Sequence, residues 1–408
     1  MGNILSGKRI LLGVSGSIAC YKAADLASKL TQQGASVTAV LTTAARQFIT
    51  PLTFQSVTGQ RAFTDEDLWG SEGHIQHIGL GHQSDLIVIA PASANTIAKI
   101  AHGICDNLLT LASLAATCPI LIAPAMDSGM YTHAATQANI KILRERGVYI
   151  AGPAMGRMAS GLSGFGRMLE PTEIIGHIRL LLGRQAGKLS GRHLVVTAGG
   201  TSEPIDAVRT ITNRSSGKQG FAVAQAAIDQ GAEVTLIAGV THLPTPIGAK
   251  RIDVNTAQEM LTAVLEAVQD ADALIMAAAV ADYRPETAVT TKLSKEEGIP
   301  QIQLTLTPDI LSAVAHYRAQ SGYPRVVLGF AAESSDLIER ARQKLIRKKL
   351  DLIVANDITA TDAGFGTDTN RVTLIDPNGN VQVFPLMTKE EVADLILQKL
   401  IPLLEAAP

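Results

Sequence analysis

Short apolar runs, each followed by small turn residues and then by apolar positions at helical spacing, recur along the chain. Arg9-Ile-Leu-Leu-Gly-Val14 predicts a strand, Ser15-Gly16-Ser17 a turn, and Ile18 to Gln33 a helix stopped by Gly34. Ser36 to Leu41 reads as the next strand, and Asp85 to Ala90 as another. A turn at Pro91 to Asn95 leads into a helix from Thr96. Further on come a helix over Asp106 to Ala116, a strand over Ile120 to Ala123, a helix over Thr132 to Arg146 and a strand over Val148 to Ala151. Strands alternating with helices imply a parallel sheet covered on both faces.

The second half repeats the plan. Gly34-Ala-Ser-Val-Thr38 has a counterpart in Gly231-Ala-Glu-Val-Thr235, each ending a first helix and opening a second strand. Leu194 to Val196 is a strand and Phe221 to Gln230 a helix; Ala273 to Ala277, Val326 to Phe330 and Leu352 to Ala355 are later strands. Val372 to Asp376 and Val381 to Phe384, joined by Pro377-Asn-Gly379, read as a hairpin, and Lys389 to Leu403 as a closing helix. The pattern lapses over Gly183 to Gly191. The fold class is therefore α/β: two doubly wound, Rossmann-like parallel-sheet domains over 1–182 and 192–408, joined by a linker over 183–191. Ligands are expected outside the carboxyl ends of the strands.

Composition narrows the function classes. At 408 residues, 46% hydrophobic, 18% charged and net −2, the chain suggests two or three domains with large cores and gives no basic excess for nucleic acid. Cys20, Cys105 and Cys118 are scattered without metal spacing and read as reduced core thiols. Met1 to Lys8 lacks the apolar core of a signal peptide. Leu108 to Met126 carries no charge, but Pro119 and polar Thr110, Ser113 and Thr117 split it into a buried helix and strand. A soluble, cytoplasmic protein without a membrane partner is expected.

The chemistry concentrates at strand ends. Between the Leu194 strand and the Phe221 helix lie about twenty residues, longer than an ordinary strand-to-helix turn. They hold Gly199, Gly200, Glu203, Asp206, Arg209, Asn213, Arg214, Ser215, Ser216, Gly217 and Lys218, a glycine-rich turn into a helix start that suits a phosphate. Such a concentration of charge calls for a ligand or an interface, and Gly199, Gly200 and Gly217 for unusual backbone angles or close approach. In the first half, Gly13-Val-Ser-Gly16-Ser17-Ile18 is a glycine turn without the third glycine of a dinucleotide fingerprint. Leu41-Thr42-Thr43 puts hydroxyls where a ribose-binding acid would stand, which favours a mononucleotide phosphate over a nicotinamide dinucleotide. Pro91-Ala-Ser93-Ala94-Asn95-Thr96 adds small donors. By periodicity alone, ordinary turn chemistry accounts for these segments equally well. Of His74, His77 and His82, each reads alone as surface decoration.

Gly16-Ser17-Ile18, Pro91 to Thr96, Pro124-Ala125-Met126 and Gly164-Phe-Gly-Arg-Met168 resemble the flavin-dependent cysteine decarboxylases, in family-like order. The resemblance implies a flavodoxin-like domain with FMN held by Gly16, Ser17, Ile18, Thr42 or Thr43, Ser93 to Thr96 and Met126. His77-Ile-Gly-Leu80 is similar to the family's His-Ile-x-Leu motif, which makes His77 the expected catalytic base. Two positions depart from the family. Asp127 stands where an asparagine is expected to bind the substrate carboxylate, and an ionised Asp127 would repel that group unless protonated or paired, Arg157 being one candidate partner. Ser160 stands where a flap cysteine is expected to return a proton, and a hydroxyl is a far weaker acid than a thiol.

The second half resembles the phosphopantothenate–cysteine ligases. The resemblance rests on Thr197-Ala-Gly-Gly-Thr201, Glu203-Pro-Ile-Asp206, Ile211-Thr-Asn213, Ser215-Ser-Gly-Lys218, Ala277 to Pro285, Pro308-Asp-Ile310, Gly329-Phe-Ala-Ala-Glu333 and Lys349 to Asp357. It implies a site for CTP and phosphopantothenate built from Gly199, Gly200, Arg209, Ser215 to Lys218, Met276, Asp282, Lys292, Thr307 to Ile310, Phe330, Lys344 and Lys348. Asn213 is expected to stabilise an acyl-cytidylate, and Lys292 to act from a flap. Lys344 and Lys348 share a helix face, which without the resemblance reads as a solvated basic surface. A decarboxylase followed by a ligase is the arrangement of the bifunctional coenzyme A biosynthesis family. Membership implies 4'-phosphopantothenate, CTP and L-cysteine as substrates, FMN and Mg2+ as cofactors with metal ligands unassigned, and a homo-oligomer of trimeric flavin and dimeric ligase domains, up to a dodecamer. Two rivals stand beside it: a flavin half made slow, non-reducing or specific for another thiol by Asp127 and Ser160, and a flavin-binding regulatory protein.

Overall fold

The computed structural model describes residues 3–69, 73–158, 161–294, 299–333, 336–357 and 366–407. The chain forms two compact units, Asn3–Leu182 and Gly183 onward.

In the first unit the elements run β1 (Arg9–Val14), α1 (Cys20–Gln32), β2 (Ser36–Leu41), α2 (Pro51–Thr58), β3 (Phe63–Thr64), α3 (Gly73–His82), β4 (Leu86–Ala92), α4 (Ala94–His102), α5 (Leu108–Leu114), β5 (Ile120–Pro124), α6 (Ser128–Thr132), α7 (Ala134–Glu145), β6 (Tyr149–Ile150), β7 (Ala154–Arg157), β8 (Ser163–Arg167) and α8 (Pro171–Ala186). The sheet order is β3-β2-β1-β4-β5-β6 and every pairing is parallel. Side chains alternate across each strand. Ile10, Leu12 and Val14 enter one core with Leu86 and Val88, while Leu11, Ile87 and Ile89 enter the other. Each such fully buried Leu or Ile contributes about 1.5–3 kcal/mol.

Several predicted boundaries move for local reasons. The helix expected from Thr96 starts at Ala94 because Ser93 is its N-cap, accepting from Thr96 N. The helix expected from Asp106 starts at Leu108 because Asn107 caps it. The helix expected over Thr132 to Arg146 is α7, which starts at Ala134 because His133, at ψ 136, is its N-cap and separates it from the short α6 before it. Helix α8 runs four residues into the stretch 183–191 and ends before Gly187, where an added Cβ would collide with the Gln230 backbone.

The second unit runs β9 (His193–Ala198), β10 (Ser202–Pro204), β11 (Thr210–Thr212), α9 (Lys218–Asp229), β12 (Glu233–Ala238), β13 (Ala249–Asp253), α10 (Ala257–Ala267), β14 (Ala273–Met276), β15 (Tyr283–Pro285), β16 (Leu304–Leu306), α11 (Ile310–Ser321), β17 (Val326–Glu333), α12 (Leu337–Arg347), β18 (Leu352–Asp357), β19 (Thr369–Ile375), β20 (Val381–Thr388) and α13 (Lys389–Ala406). Its sheet order is β13-β12-β9-β14-β17-β18-β19-β20, parallel as far as β18 and antiparallel beyond. Helices α10, α11 and α12 pack one face through Met260, Val264, Ile310 and Leu345. In both units the order reverses between the first and fourth strands, which opens a crevice at the carboxyl ends of β1 and β4, and of β9 and β14. The stretch after β9, expected as one long loop, instead contains the antiparallel pair β10–β11. Among the described residues no helix is long and apolar enough to cross a membrane.

Candidate functional site

At the first crevice the hydroxyl of Ser15 joins the two strand ends. It is 1% exposed, and its Oγ donates to Pro91 O at 2.8 Å and accepts from Ser93 N at 2.8 Å. Gly16 passes so close to Ala44 that an added Cβ would sit 2.6 Å from its Cβ. Ser17 Oγ accepts from Ala19 N at 3.2 Å, and α1 has no side-chain cap hydrogen bond. Ala19 N, Cys20 N and Lys22 N each donate within this first turn, so what α1 presents to an anion is the positive end of its dipole. Ile18 beside it is exposed. Ser93 Oγ and Thr96 Oγ1 lie 3.2 Å apart at the head of α4, with Ala94 and Asn95 between them. Thr42 is buried and accepts from Ala45 N at 3.3 Å. Thr43 is engaged: its N and Oγ1 both donate to Asp65 Oδ2, at 3.1 and 2.7 Å. Asp65 Oδ1 accepts from Leu108 N at 3.1 Å, so one carboxylate fastens the end of β2 to the head of α5.

His77 lies on α3, and its Nδ1 is buried with no hydrogen-bond partner in the structure. An orphaned ring nitrogen carries a desolvation cost unless a ligand meets it. The hairpin β7–β8 crosses the loop after β5: Met126 N donates to Gly166 O at 3.0 Å. Side chains at Gly164 and Gly166 would collide with Ser128 and with the Met126 carbonyl, which explains the glycines of the Gly-Phe-Gly motif. Asp127 is the N-cap of α6, its Oδ1 accepting from Gly129 N at 3.0 Å. Ser160 lies outside the described residues.

The second crevice is a cavity of about 890 Å³. Its walls include Asn213, the Ser215-Ser216-Gly217-Lys218 turn, Met276, Asp282, Thr307 to Ile310, Phe330, Lys344 and Lys348, which brings most of the predicted ligase residues together. Gly217 adopts φ +78 and Gly199 φ +80, angles that glycine takes without strain. Gly200 has an ordinary φ but passes 3.1 Å from the Asn213 carbonyl, measured to an added Cβ. Asn213 Nδ2 donates to Val280 O at 3.0 Å and pins the loop after β14. Thr307 Oγ1 donates to Ala281 O at 2.6 Å.

The cavity's cations are engaged by the protein. Lys348 donates to Ser312 Oγ at 2.9 Å and pairs with Asp309, the N-cap of α11. Burial pushes the Asp309 carboxyl up, but bonds from Lys348 and Ser312 outweigh it and hold it below the usual carboxylate range. Lys344 Nζ donates to Phe330 O at 2.9 Å.

Four predicted residues, Gly199, Gly200, Arg209 and Lys292, stand apart from these walls. Gly199 and Gly200 shape the turn behind them. Arg209 pairs with buried Asp206 at 2.9 Å rather than lining the cavity. Burial acts to raise the Asp206 pKa, yet amides of Val208, Arg209 and Leu293 together with the Arg209 charge bring it down. Leu293 N donates to Asp206 at 3.2 Å, so this pair anchors the segment carrying exposed Lys292. Glu203, counted above among the charges calling for a ligand, is 2% exposed and caps α10 at Ala257 N, 2.8 Å away. Sequence reasoning missed Ser15, Asp65, Asn370 and Lys389; the last two line the cavity although nearly buried, at 4% and 5% exposure. A cation at the first position of a helix, where the dipole disfavours it, was the available signal for Lys389.

The Flavoprotein family matches residues 3–183, and the DNA/pantothenate metabolism flavoprotein C-terminal domain matches residues 189–403. The coenzyme A biosynthesis bifunctional protein CoaBC of Vibrio vulnificus is 45% identical over 399 residues, covering 97% of this chain and 98% of its own. That of Bacillus subtilis is 43% identical over 399 residues, covering 97% of each chain. That of Escherichia coli is 42% identical over 400 residues, again covering 97% of each. Matched in both units and along nearly its whole length, the chain belongs to the family of coenzyme A biosynthesis bifunctional proteins CoaBC.

Proposed function

We propose that the protein makes 4'-phosphopantetheine from 4'-phosphopantothenate in two stages. The second unit joins L-cysteine to the acid using CTP. The first unit then decarboxylates the product with FMN. The observation that carries this reading is the cavity over β9 and β14, whose walls hold seven basic residues (Arg214, Lys218, Arg340, Lys344, Arg347, Lys348 and Lys389) against two acids, Asp282 and Asp309. A carboxylate, a triphosphate and a second phosphate brought together need such dispersed cations more than a single base.

The substrate carboxylate attacks the α-phosphorus of CTP, and pyrophosphate leaves. The cysteine amine then attacks the acyl carbon and CMP leaves. Asn213, at the head of the glycine turn, stabilises the acyl-cytidylate, and Lys292 approaches from the segment anchored by Asp206. Lys344 and Lys348 hold the nucleotide. Bound Mg2+ would offset charge on the triphosphate, whose own oxygens would ligate it; among the described residues no three acidic, histidine or cysteine side chains cluster.

In the first unit the residues present fit a flavin mononucleotide: a glycine cradle against Ala44, the N-terminal end of α1, hydroxyls at Ser17 and Ser93, and an orphaned ring nitrogen on His77. Bound FMN supplies two-electron oxidation of the cysteinyl moiety and the return of those electrons. His77 holds and moves the proton, Met126 packs beside the site, and Ser160 takes the place of the flap acid. Asp127 keeps the N-cap that an asparagine would fill equally well. A second reading, a flavin half that oxidises without reducing, rests on that charge and on Ser160. Exposed Ile18, Tyr21, Phe48 and Leu52 in one unit, and Val208, Leu304 and Leu306 in the other, leave apolar surface for subunit contacts, and the assembly proposed with them is a cytoplasmic oligomer of trimeric flavin and dimeric ligase units.

The test is product identity. Purified protein given phosphopantothenate, CTP and cysteine is expected to release pyrophosphate and CMP and to yield phosphopantetheine. Pyrophosphate release that does not depend on phosphopantothenate would sink the ligase reading. An oxidised enethiol as end product would establish the second reading.

A further inference from the structure

Lys389 opens α13, is 5% exposed, and lines the same cavity as Lys218. Burying an ammonium is costly unless oxygens surround it. Its Nζ donates to the Thr367 carbonyl. Burial pushes its pKa down and the charge of Lys218 pushes the same way, only partly opposed by Asp368 and Glu390. Lys218 donates to Asp368 Oδ1 at 2.5 Å and to Gly366 O at 3.4 Å. Asp368 thus pairs with Lys218 and, together with Glu390, its charge also reaches Lys389, where α9 and α13 begin.

Asp368 faces solvent. The Asp368 side chain is 84% exposed, against 35% for Lys218. The head of α9 adds a further attraction for anions. Its N-cap is Gly217 in the left-handed region, without a side-chain acceptor for the first amides. Two ammoniums and a helix N-terminus lining one cavity beside an exposed counter-ion suit a multiply charged phosphate. The other cations differ. Lys348 is paired with Asp309, a helix cap fixed by Ser312 N at 3.1 Å, so that pair is built into the fold.

Resting on the ligase reading, we propose that Lys389 and Lys218 form the seat for the terminal phosphates of the nucleotide, with Asp368 occupying it as an internal counter-ion until the nucleotide displaces it. Oxygens of the β- and γ-phosphates replace the Asp368 carboxylate on Lys218 and the Thr367 carbonyl on Lys389. The displaced carboxylate is rehydrated at the surface. No bond changes beyond those of the ligation itself, and the same seat retains pyrophosphate as it leaves.

The experiment is calorimetric titration of the full chain with inorganic pyrophosphate, CTP and CMP at one ionic strength, for wild type, Lys389→Met, Lys389→Arg and Asp368→Asn. Lys389→Met is expected to weaken pyrophosphate and CTP roughly tenfold or more while leaving CMP within about twofold, as loss of a charge-assisted bond predicts. Lys389→Arg keeps most of the pyrophosphate affinity. Asp368→Asn tightens pyrophosphate about threefold or more by removing the competitor. Equal weakening of CMP and pyrophosphate in Lys389→Met, or no weakening of either, overturns the proposal, as does unchanged pyrophosphate binding in Asp368→Asn. Should Lys389→Met not fold, the exposed Asp368→Asn substitution decides alone. Wild-type protein that ligates normally alongside unaffected variants sinks only the seat. Wild-type protein that binds neither CTP nor pyrophosphate sinks the ligase reading with it.

Discussion

The two units wind their strands in the same order, and in each a hydroxyl stitches the first strand to the fourth where the order reverses. Ser15 does this in the first unit, between Pro91 and Ser93. In the second, Thr197 Oγ1 accepts from Ala278 N at 3.0 Å and Thr201 Oγ1 from Ala281 N at 2.9 Å. What borders the crevice differs. The first offers Ser17, Thr42, Thr43 and Ser93 to Thr96, none ionisable at neutral pH, beside exposed apolar side chains. The second offers seven bases, drawn from the turn before α9, from α12 with Lys348 at its end, and from the head of α13. The doubly wound sheet supplies amides and dipoles in both, and the segments added around it decide the ligand. Neutral hydroxyls and apolar walls suit one phosphate and a flat ring; many cations suit a triphosphate and an acyl anion.

If that division of labour is right, each unit can be disabled without touching the other. Lys348→Met should lower kcat/KM for CTP by about 10²–10³, the loss typical of removing one preorganised donor, and leave decarboxylation of supplied phosphopantothenoylcysteine unchanged. His77→Asn should lower decarboxylation by about 10²-fold or more, with FMN absorbance retained and pyrophosphate release unaltered. A His77 variant that slowed ligation would break the comparison. Ser15→Ala leaves the buried amide of Ser93 without its acceptor, at a cost of about 1–3 kcal/mol. It should lose FMN on dialysis, and Thr201→Val should weaken CTP binding instead; a Ser15→Ala protein that stays yellow would show that the stitch does not support the cofactor.

Much of this was legible in the chain because parallel strands buried on both faces read as unbroken apolar runs, as Leu86 to Ala90 does. The glycines were legible too, since Gly199 and Gly217 stand at turns that need positive φ. Long-range polar pairing was not. Nothing in the spacing announces that Asp65 will hold Thr43 across 22 positions, or that Lys389 will come to line the cavity beside Lys218. The antiparallel pairs β10–β11 and β15–β16 were missed because strands of three residues are too short to show a period. Arg209 was read as a ligand contact because its charge sits in a glycine-rich loop; its partner Asp206, three residues earlier, is buried only by the folded segment around it.

The smallest effect concerns the counter-ion built into the second crevice. Asp309 caps α11 and pairs with Lys348, and its carboxyl is held below the ordinary value despite burial. A carboxyl whose folded pKa is depressed contributes stability above its unfolded value, near 4, and loses it as pH falls through the folded value. Because the Asp309 side chain is 50% exposed, solvent screens much of the pair. Asp309→Asn keeps the cap but removes the charge, so it should lower Tm at pH 7 by only about 2 °C. The gap from wild type should close below about pH 4, once the native carboxyl is protonated too. A gap that persisted unchanged at pH 3 would mean that the Lys348 pair carries none of the difference. The second crevice would then owe its order to the cap alone, as the first does to its hydroxyls.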